Sequence, residues 1–279
     1  ECDEELRNRI EQIQQEFGEK GEYALKRNKG EAFRQFLNLM MLKLPVDVER
    51  EFVTHLHDNP HVYIYAHELL DDLKLLKSSL LKYGAKAIAY SDVSESIRIV
   101  QTFGFHLAAL DIRQNSAFHD KAIAQLLNAA GLEGSKFPEW TEDERVTFLN
   151  KELESNRPFT HPNMKLEQEA EAVVKSLKVV AEHIEKYGVD GIGALIVSMT
   201  RSLSDLLCVY VLAREVGLTT KTDEGFVCKI PVVPLFETIE DLQASPKIVQ
   251  SFLEHPFTRR SLEFQRKLKN EKQPIQQVM

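Results

Sequence analysis

Three apolar runs in the sequence stop abruptly on polar residues. The first ends at Arg113 and Gln114, the second at Ser198, Met199, Thr200 and Arg201, the third at Glu237 and Thr238. If the runs are parallel strands, these residues share the C-terminal end of one sheet, the end on which ligands bind in parallel α/β folds. Two arginines, a carboxylate and several hydroxyls gathered there suit an anionic, phosphorylated substrate and a hard divalent cation. A guanidinium fork matches phosphate or carboxylate oxygens in pairs, and a carboxylate is a natural Mg²⁺ ligand. Arg113 has a structural alternative, an ion pair with Asp111 or with Glu237. Arg201 is the weaker candidate, because an arginine at a helix start is commonly just solvated.

Positioning these residues requires strands at about 105–112, 191–199 and 226–236. The second run, from Gly191 to Met199, is unbroken and apolar, as a strand covered on both faces must be. From Leu195 to Phe236 the order strand, helix, strand suits a right-handed parallel crossover. The first two strands are separated by a long helical excursion with helices over 117–130, 141–153 and 166–187. Residues 1–102 read as a helical region leading into the sheet, and residues 103–279 as a partial α/β barrel. In the helical region, Leu6, Ile10, Ile13 and Phe17 form one stripe, and Phe33, Phe36, Leu37, Met40 and Leu44 form another. A short helix is expected over 47–58 and a long one over 65–81, closed by Gly84 as a left-handed cap. Ser91 reads as the N-cap of the next helix. The final helical stretch, about 240–269, is broken near Pro256.

A chain of 279 residues with a formal net charge of −8 can bury a large core and is ill-suited to non-specific nucleic-acid binding. No apolar run reaches bilayer-spanning length. Three widely spaced cysteines, Cys2, Cys208 and Cys228, favour free thiols in a cytoplasmic protein. His55, His57, His61 and His67 cluster in sequence, but without the spacing that puts metal ligands on one helix face. Gly191-Ile192-Gly193 precedes its strand and is therefore no dinucleotide fingerprint. The chain opens without an initiator methionine and closes on Pro274 to Met279, which reads like the start of a strand. The expectation is an internal piece of a longer protein.

At these same residues the chain resembles phosphoenolpyruvate carboxylase. The segments are Thr102-Phe103-Gly104-Phe105 leading into Leu110-Asp111-Ile112-Arg113-Gln114, then Ser198-Met199 with Ser204-Asp205-Leu206-Leu207, and Val233-Pro234-Leu235-Phe236-Glu237-Thr238. Asn156-Arg157-Pro158, after a loop holding Trp140 and a helix, is also similar. The Leu110-to-Gln114 and Pro234-to-Thr238 segments together, in this order and at this separation, are specific. The resemblance implies a helix-rich (β/α)₈ barrel, a homotetramer when full length, and a carbon-dioxide-fixing lyase of the cytoplasm. The reaction joins bicarbonate to phosphoenolpyruvate with Mg²⁺ or Mn²⁺, giving oxaloacetate, a tricarboxylic acid cycle intermediate, and phosphate. Carried over, Arg113 binds the substrate phosphate or carboxylate with Gln114 beside it, and Glu237 is one of two metal-ligating carboxylates.

The departures matter as much. The family's catalytic histidine belongs to a TAHPTE motif that is absent, and Thr160-His161-Pro162-Asn163 lacks the trailing Thr-Glu and any preceding strand. The second metal carboxylate, in a GYSDS segment, and the mobile glycine- and arginine-rich loop are absent too. No catalytic residue is therefore assigned, and the chain alone is expected to be inactive. Two other readings stay open: a different barrel enzyme acting on a phosphorylated substrate, and a helical interaction module whose arginine is structural. The Arg113–Glu237 separation discriminates, since the enzyme readings require both side chains on one cleft.

Overall fold

The computed structural model describes residues 2–45, 59–161, 163–269 and 271–279. The helix expected over 47–58, with His55 and His57, lies outside the described residues. Chain contacts divide the protein into two units, Glu1–Ala108 and Ala109–Met279.

The first unit is helical: α1 (Glu4–Phe17), α2 (Glu19–Lys26), α3 (Ala32–Leu42), α4 (Ala66–Tyr83), the short α5 (Lys86–Ile88) and α6 (Ser94–Phe103). Asp3 caps α1, its side chain accepting the Leu6 N–H at 3.0 Å. Leu6, Ile10 and Ile13 of α1 pack with Phe36, Leu39 and Met40 of α3 and Leu73, Leu76 and Leu80 of α4. The stripe expected on α3 is thus rotated, leaving Leu37 44% exposed. Gly84 closes α4 at φ 95°, the left-handed cap its sequence position implies. Ser91 is no cap. It sits in a π-helical turn (Ala89–Val93) continuous with α6 and donates its hydroxyl to the Ala87 carbonyl, 2.8 Å away.

The second unit is built on a parallel sheet of β1 (Leu110–Asn115), β2 (Ile192–Ser198) and a later short strand, Val232–Pro234. Its helices are α7 (Ser116–Ala129), α8 (Glu142–Leu153), α9 (Gln168–Tyr187) and α10 (Leu203–Glu215), then α11 (Ile239–Glu254) and α12 (Pro256–Leu268) after the sheet. Ala122–Leu127 of α7, Val173 and Leu177 of α9 and nearly all of α10 pack with Leu195, Val197 and Val232 of the sheet. Ser202 is the N-cap of α10, in a capping box with Asp205.

Two strand boundaries differ from those read in the sequence. The first strand begins at Leu110, not 105, because Phe105 to Ala109 is an exposed turn between the units. There Leu107 takes a positive φ of 63° and is 74% exposed. Apolar composition alone made it look like strand. The third run makes two strands. Residues Thr219–Thr222 (β3) and Gly225–Cys228 (β4) form an antiparallel hairpin, and only Val232–Pro234 (β5) joins the parallel sheet. The Lys229 N–H is taken by Leu218, and Pro231 has no N–H, so the chain leaves one ladder before entering the other. Among the described residues the sheet is open and no barrel is closed. Residue Met279 continues the ladder beyond β5: its N–H donates to Pro234 and its carbonyl accepts from Phe236, both at 3.0 Å. That is a parallel pairing centred on Leu235.

Candidate functional site at the strand ends

Register fixes which side chains share a face. Arg113 lies beside Ile196, which lies beside Val233, so these three point one way, with the small apolar cluster of Ala194, Ile196 and Val233. Gln114 pairs with Val197, which in turn pairs with Pro234, on the face that packs against the helices. Strand alternation therefore separates Arg113 from Gln114. Gln114 Oε1 accepts the Asn115 N–H at 2.8 Å, and Gln114 lines a cavity with Ile112, Arg113, His119 and Ser176.

Arg113 and Glu237 do meet. The guanidinium Nη2 donates to Glu237 Oε1 at 2.6 Å, with the arginine side chain 54% and the glutamate 32% exposed. The other carboxylate oxygen accepts the Met199 N–H at 3.1 Å. Thus Arg113 at the end of β1 and Met199 at the end of β2 converge on the one carboxylate that follows β5. Asp111, the other partner considered for Arg113, is engaged elsewhere. Its Oδ1 accepts the Ala194 N–H at 2.8 Å and fills the space a Cβ on Gly193 would need, only 2.1 Å away. That explains a glycine at 193 without any nucleotide.

Met199 is the hinge of the site. Its φ of 55° is left-handed, a conformation that costs an L-residue about 1–2 kcal/mol. Its carbonyl accepts the Ser116 hydroxyl at 2.7 Å, tying the end of β2 to the start of α7. Thr200 N–H donates to Leu235 at 3.1 Å, tying it also to β5. Arg201 is not simply solvated. It donates to Asp120 Oδ2 at 2.7 Å and to Asp205 Oδ1 at 2.8 Å, and Asp205 Oδ2 accepts the Arg201 N–H at 2.8 Å. Those hydrogen bonds push the Arg201 pKa further up, against the cost of partial burial. Arg145 of α8 bridges the same two buried carboxylates from inside, bonding Asp120 and lying 3.3 Å from Asp205. The sequence carried a signal for part of this, the Ser202-to-Asp205 capping box, but none for Asp120 or Arg145, which come from separate helices. His119 is buried with Nδ1 unpartnered, and desolvation pushes its pKa down to about 4.

Glu237 supplies one carboxylate. Among the described residues no group of three or more His, Cys, Asp or Glu side chains is placed to hold a metal ion. A divalent cation of the Mg²⁺ type needs several oxygens in near-octahedral array, so the residues present do not by themselves make its site. The three cysteines carry free thiols. Among the described residues no helix is long and apolar enough to cross a membrane.

The chain is a helix-rich α/β protein with an arginine and a carboxylate meeting at the C-terminal end of an open parallel sheet, the end on which ligands bind in parallel α/β folds. The comparisons with known proteins are more specific. The model of the phosphoenolpyruvate carboxylase family matches residues 1–279, and the chain belongs to that family. It is 41% identical over 212 residues to a phosphoenolpyruvate carboxylase of Bradyrhizobium diazoefficiens, a stretch covering 76% of this chain and 22% of that protein. The enzyme of Rhodopseudomonas palustris strain HaA2 is 42% identical over 198 residues, 71% of this chain and 21% of that one. That of Nocardia farcinica is 34% identical over 236 residues, 82% and 26% respectively. The chain therefore spans about a fifth to a quarter of the length of these relatives.

Proposed function

We propose that this chain forms one wall of the active site of a phosphoenolpyruvate carboxylase, a cytoplasmic lyase that converts phosphoenolpyruvate and bicarbonate to oxaloacetate and phosphate. The observation that carries the reading is the meeting of Arg113 with Glu237 at the strand ends, 2.6 Å apart and open to solvent. In this reading Arg113 exchanges its pairing with Glu237 for the phosphate or carboxylate of the substrate. A guanidinium there offsets charge on the phosphoryl group as it passes from the enol oxygen to bicarbonate, stabilisation placed where charge develops. Glu237, its second oxygen held by Met199, becomes one ligand of the Mg²⁺ or Mn²⁺ that the family implies, with the remaining ligands coming from outside the described residues. Gln114, which follows Arg113 at the same strand end and lines a cavity with it, is assigned to the substrate site beside it.

The sheet itself is proposed to be a segment of a (β/α)₈ barrel. Strands β1, β2 and β5 are added in chain order on one side, all parallel, and Met279 adds to the same edge. A doubly wound sheet reverses direction, whereas a barrel keeps adding on one side. Closure into a barrel and assembly of four copies would cover the edges that are open here.

The test is kinetic. In the full-length protein carrying this segment, Arg113→Gln should lower kcat/KM for phosphoenolpyruvate by on the order of 10²–10³-fold, the size seen when a single charge-stabilising donor is removed. An Arg113→Gln protein with unaltered turnover would overturn the assignment. The chain by itself should form no oxaloacetate in a coupled assay.

A further inference from the structure

The two buried carboxylates Asp120 and Asp205 are bridged twice. Arg145 spans them from α8, and Arg201 spans them from the loop after β2. Asp120 and Asp205 are 4% and 0% exposed and Arg145 is 8% exposed, while Arg201 is 45% exposed. Because Arg145 already ties α7, α8 and α10 together, Arg201 is redundant for joining the helices. It is not redundant for the loop. Arg201 fastens the backbone two residues after Met199 to the tie, through its own N–H, the Ser202 N–H at 3.2 Å and its guanidinium, all on Asp205. Upstream, the Met199 peptide carries the Glu237 contact in a left-handed conformation that would relax if released.

We propose that Arg201 is a positioning residue: by bridging Asp120 and Asp205 it holds the Met199 peptide against Glu237 and so sets the orientation of the strand-end acid. The fork geometry matters, not the positive charge alone. An ammonium is a point charge on a flexible stem and cannot present the two carboxylates with the planar array a guanidinium offers. Ser116, hydrogen-bonded to the Met199 carbonyl in the following peptide unit, acts in the same direction with a single neutral hydrogen bond. The inference rests on the reading of Glu237 given above.

The experiment uses the full-length protein with Arg201→Lys, Arg201→Gln and Ser116→Ala, and reads two quantities. The first is kcat/KM for phosphoenolpyruvate. The second is hydrogen exchange of a peptide spanning 196–203, compared with peptides from α7 and α10. Arg201→Lys should keep the protection of both helices, lose about tenfold in kcat/KM, as outer-shell partners do, and exchange faster in the loop peptide. Arg201→Gln should do the same or more, and Ser116→Ala less. If Arg201→Gln fails to fold, Arg201→Lys and Ser116→Ala carry the decision. Full rescue of rate and loop protection by lysine would overturn the proposal. Should the unsubstituted protein show no carboxylation at all, the function proposed above falls. Exchange then decides alone: a faster loop in Arg201→Lys upholds the positioning role, and an unchanged loop ends it.

Discussion

A buried ionic cluster in each unit makes an instructive pair. In the helical unit, Asp72 is 5% exposed and receives Arg9 Nε at 2.7 Å, Tyr63 Oη at 2.7 Å and Lys43 Nζ at 3.5 Å. Those partners come from α1, from the segment before α4 and from the end of α3, so one carboxylate pins three pieces of chain. Its effect also reaches Tyr63, whose pKa burial and the Asp72 charge push up. The cluster in the sheet unit has two carboxylates and two arginines, and it pins helices and a strand-end loop together. The first cluster is glue. The second reaches, through Met199, a carboxylate that faces solvent. Burial of charge by itself therefore says little about function, and what distinguishes the two is the backbone they fasten.

The sharpest way to break the comparison is to remove the acid from the glue. Asp72→Ala leaves Lys43, only 8% exposed, and Arg9 without their counter-charge. Breaking a buried pair in this way costs about 3–5 kcal/mol. Chemical denaturation should show that loss, while hydrogen exchange around Met199 stays as it was. Altered protection of that loop would mean that the two clusters are coupled.

The next effect is a pH dependence confined to the sheet unit. His119 of α7 is buried, with its folded pKa held near 4 by desolvation and opposed by the charge of Asp205. The unfolded value is close to 6.5, so below that pH the unfolded chain binds the extra proton and the folded one does not. Stability contributed by neutral His119 is thus complete above about pH 6.5 and is lost as pH falls toward 4. The slope reaches at most about 1.4 kcal/mol per pH unit. Urea midpoints between pH 4.5 and 7 should be flatter in His119→Gln than in the parent chain. Parallel curves would place the titration on another group.

A third substitution asks whether the sheet's own polar pin matters. Gly193→Ala puts a Cβ within 2.1 Å of Asp111 Oδ1 and should destabilise by about 1–3 kcal/mol, the range for overpacking. Asp111→Ala relieves that clash but frees the Ala194 N–H, so the double substitution should cost less than the sum of the two singles. Strict additivity would show that residue 193 tolerates a side chain for some other reason.

How much of this could be read from residues alone follows from what local sequence encodes. The strand at 192–198 and the helices α4, α8 and α9 are legible because apolar periodicity is a local signal. The meeting of Arg113 and Glu237 was legible only as a conditional: if the strands are parallel, their ends coincide. The exposed turn at 105–109 looks like strand in sequence because Phe105 and Leu107 are apolar yet face solvent, and composition does not report exposure. The hairpin of β3 and β4 is not legible, because a run broken by Pro231 looks continuous until its hydrogen-bond partners are known. The face on which Gln114 lies follows from register, which becomes visible only when Arg113 is set beside Ile196. Asp120 and Arg145 were invisible for a different reason. They are 25 residues apart, on helices joined only by tertiary packing.

The smallest predicted effect bears on how far the sheet-unit cluster extends. Thr141 caps α8, its Oγ1 accepting the Glu144 N–H at 3.4 Å while the Glu144 carboxylate accepts the Thr141 N–H at 2.8 Å. The first turn of that helix also carries Glu142, which takes the Ser204 N–H at 2.9 Å and the Ser204 hydroxyl at 2.6 Å, and Arg145 follows directly. Thr141→Ala removes a solvent-exposed cap, and such caps contribute about 0.5–2 kcal/mol. If the cap acts only on its own helix, the loss should stay near 1 kcal/mol and the exchange of the 196–203 peptide should not change. A loss above 3 kcal/mol, or faster exchange around Met199, would show that α8 transmits its first turn through Arg145 to the loop. The boundary of the positioning device would then move outward to include the helix cap.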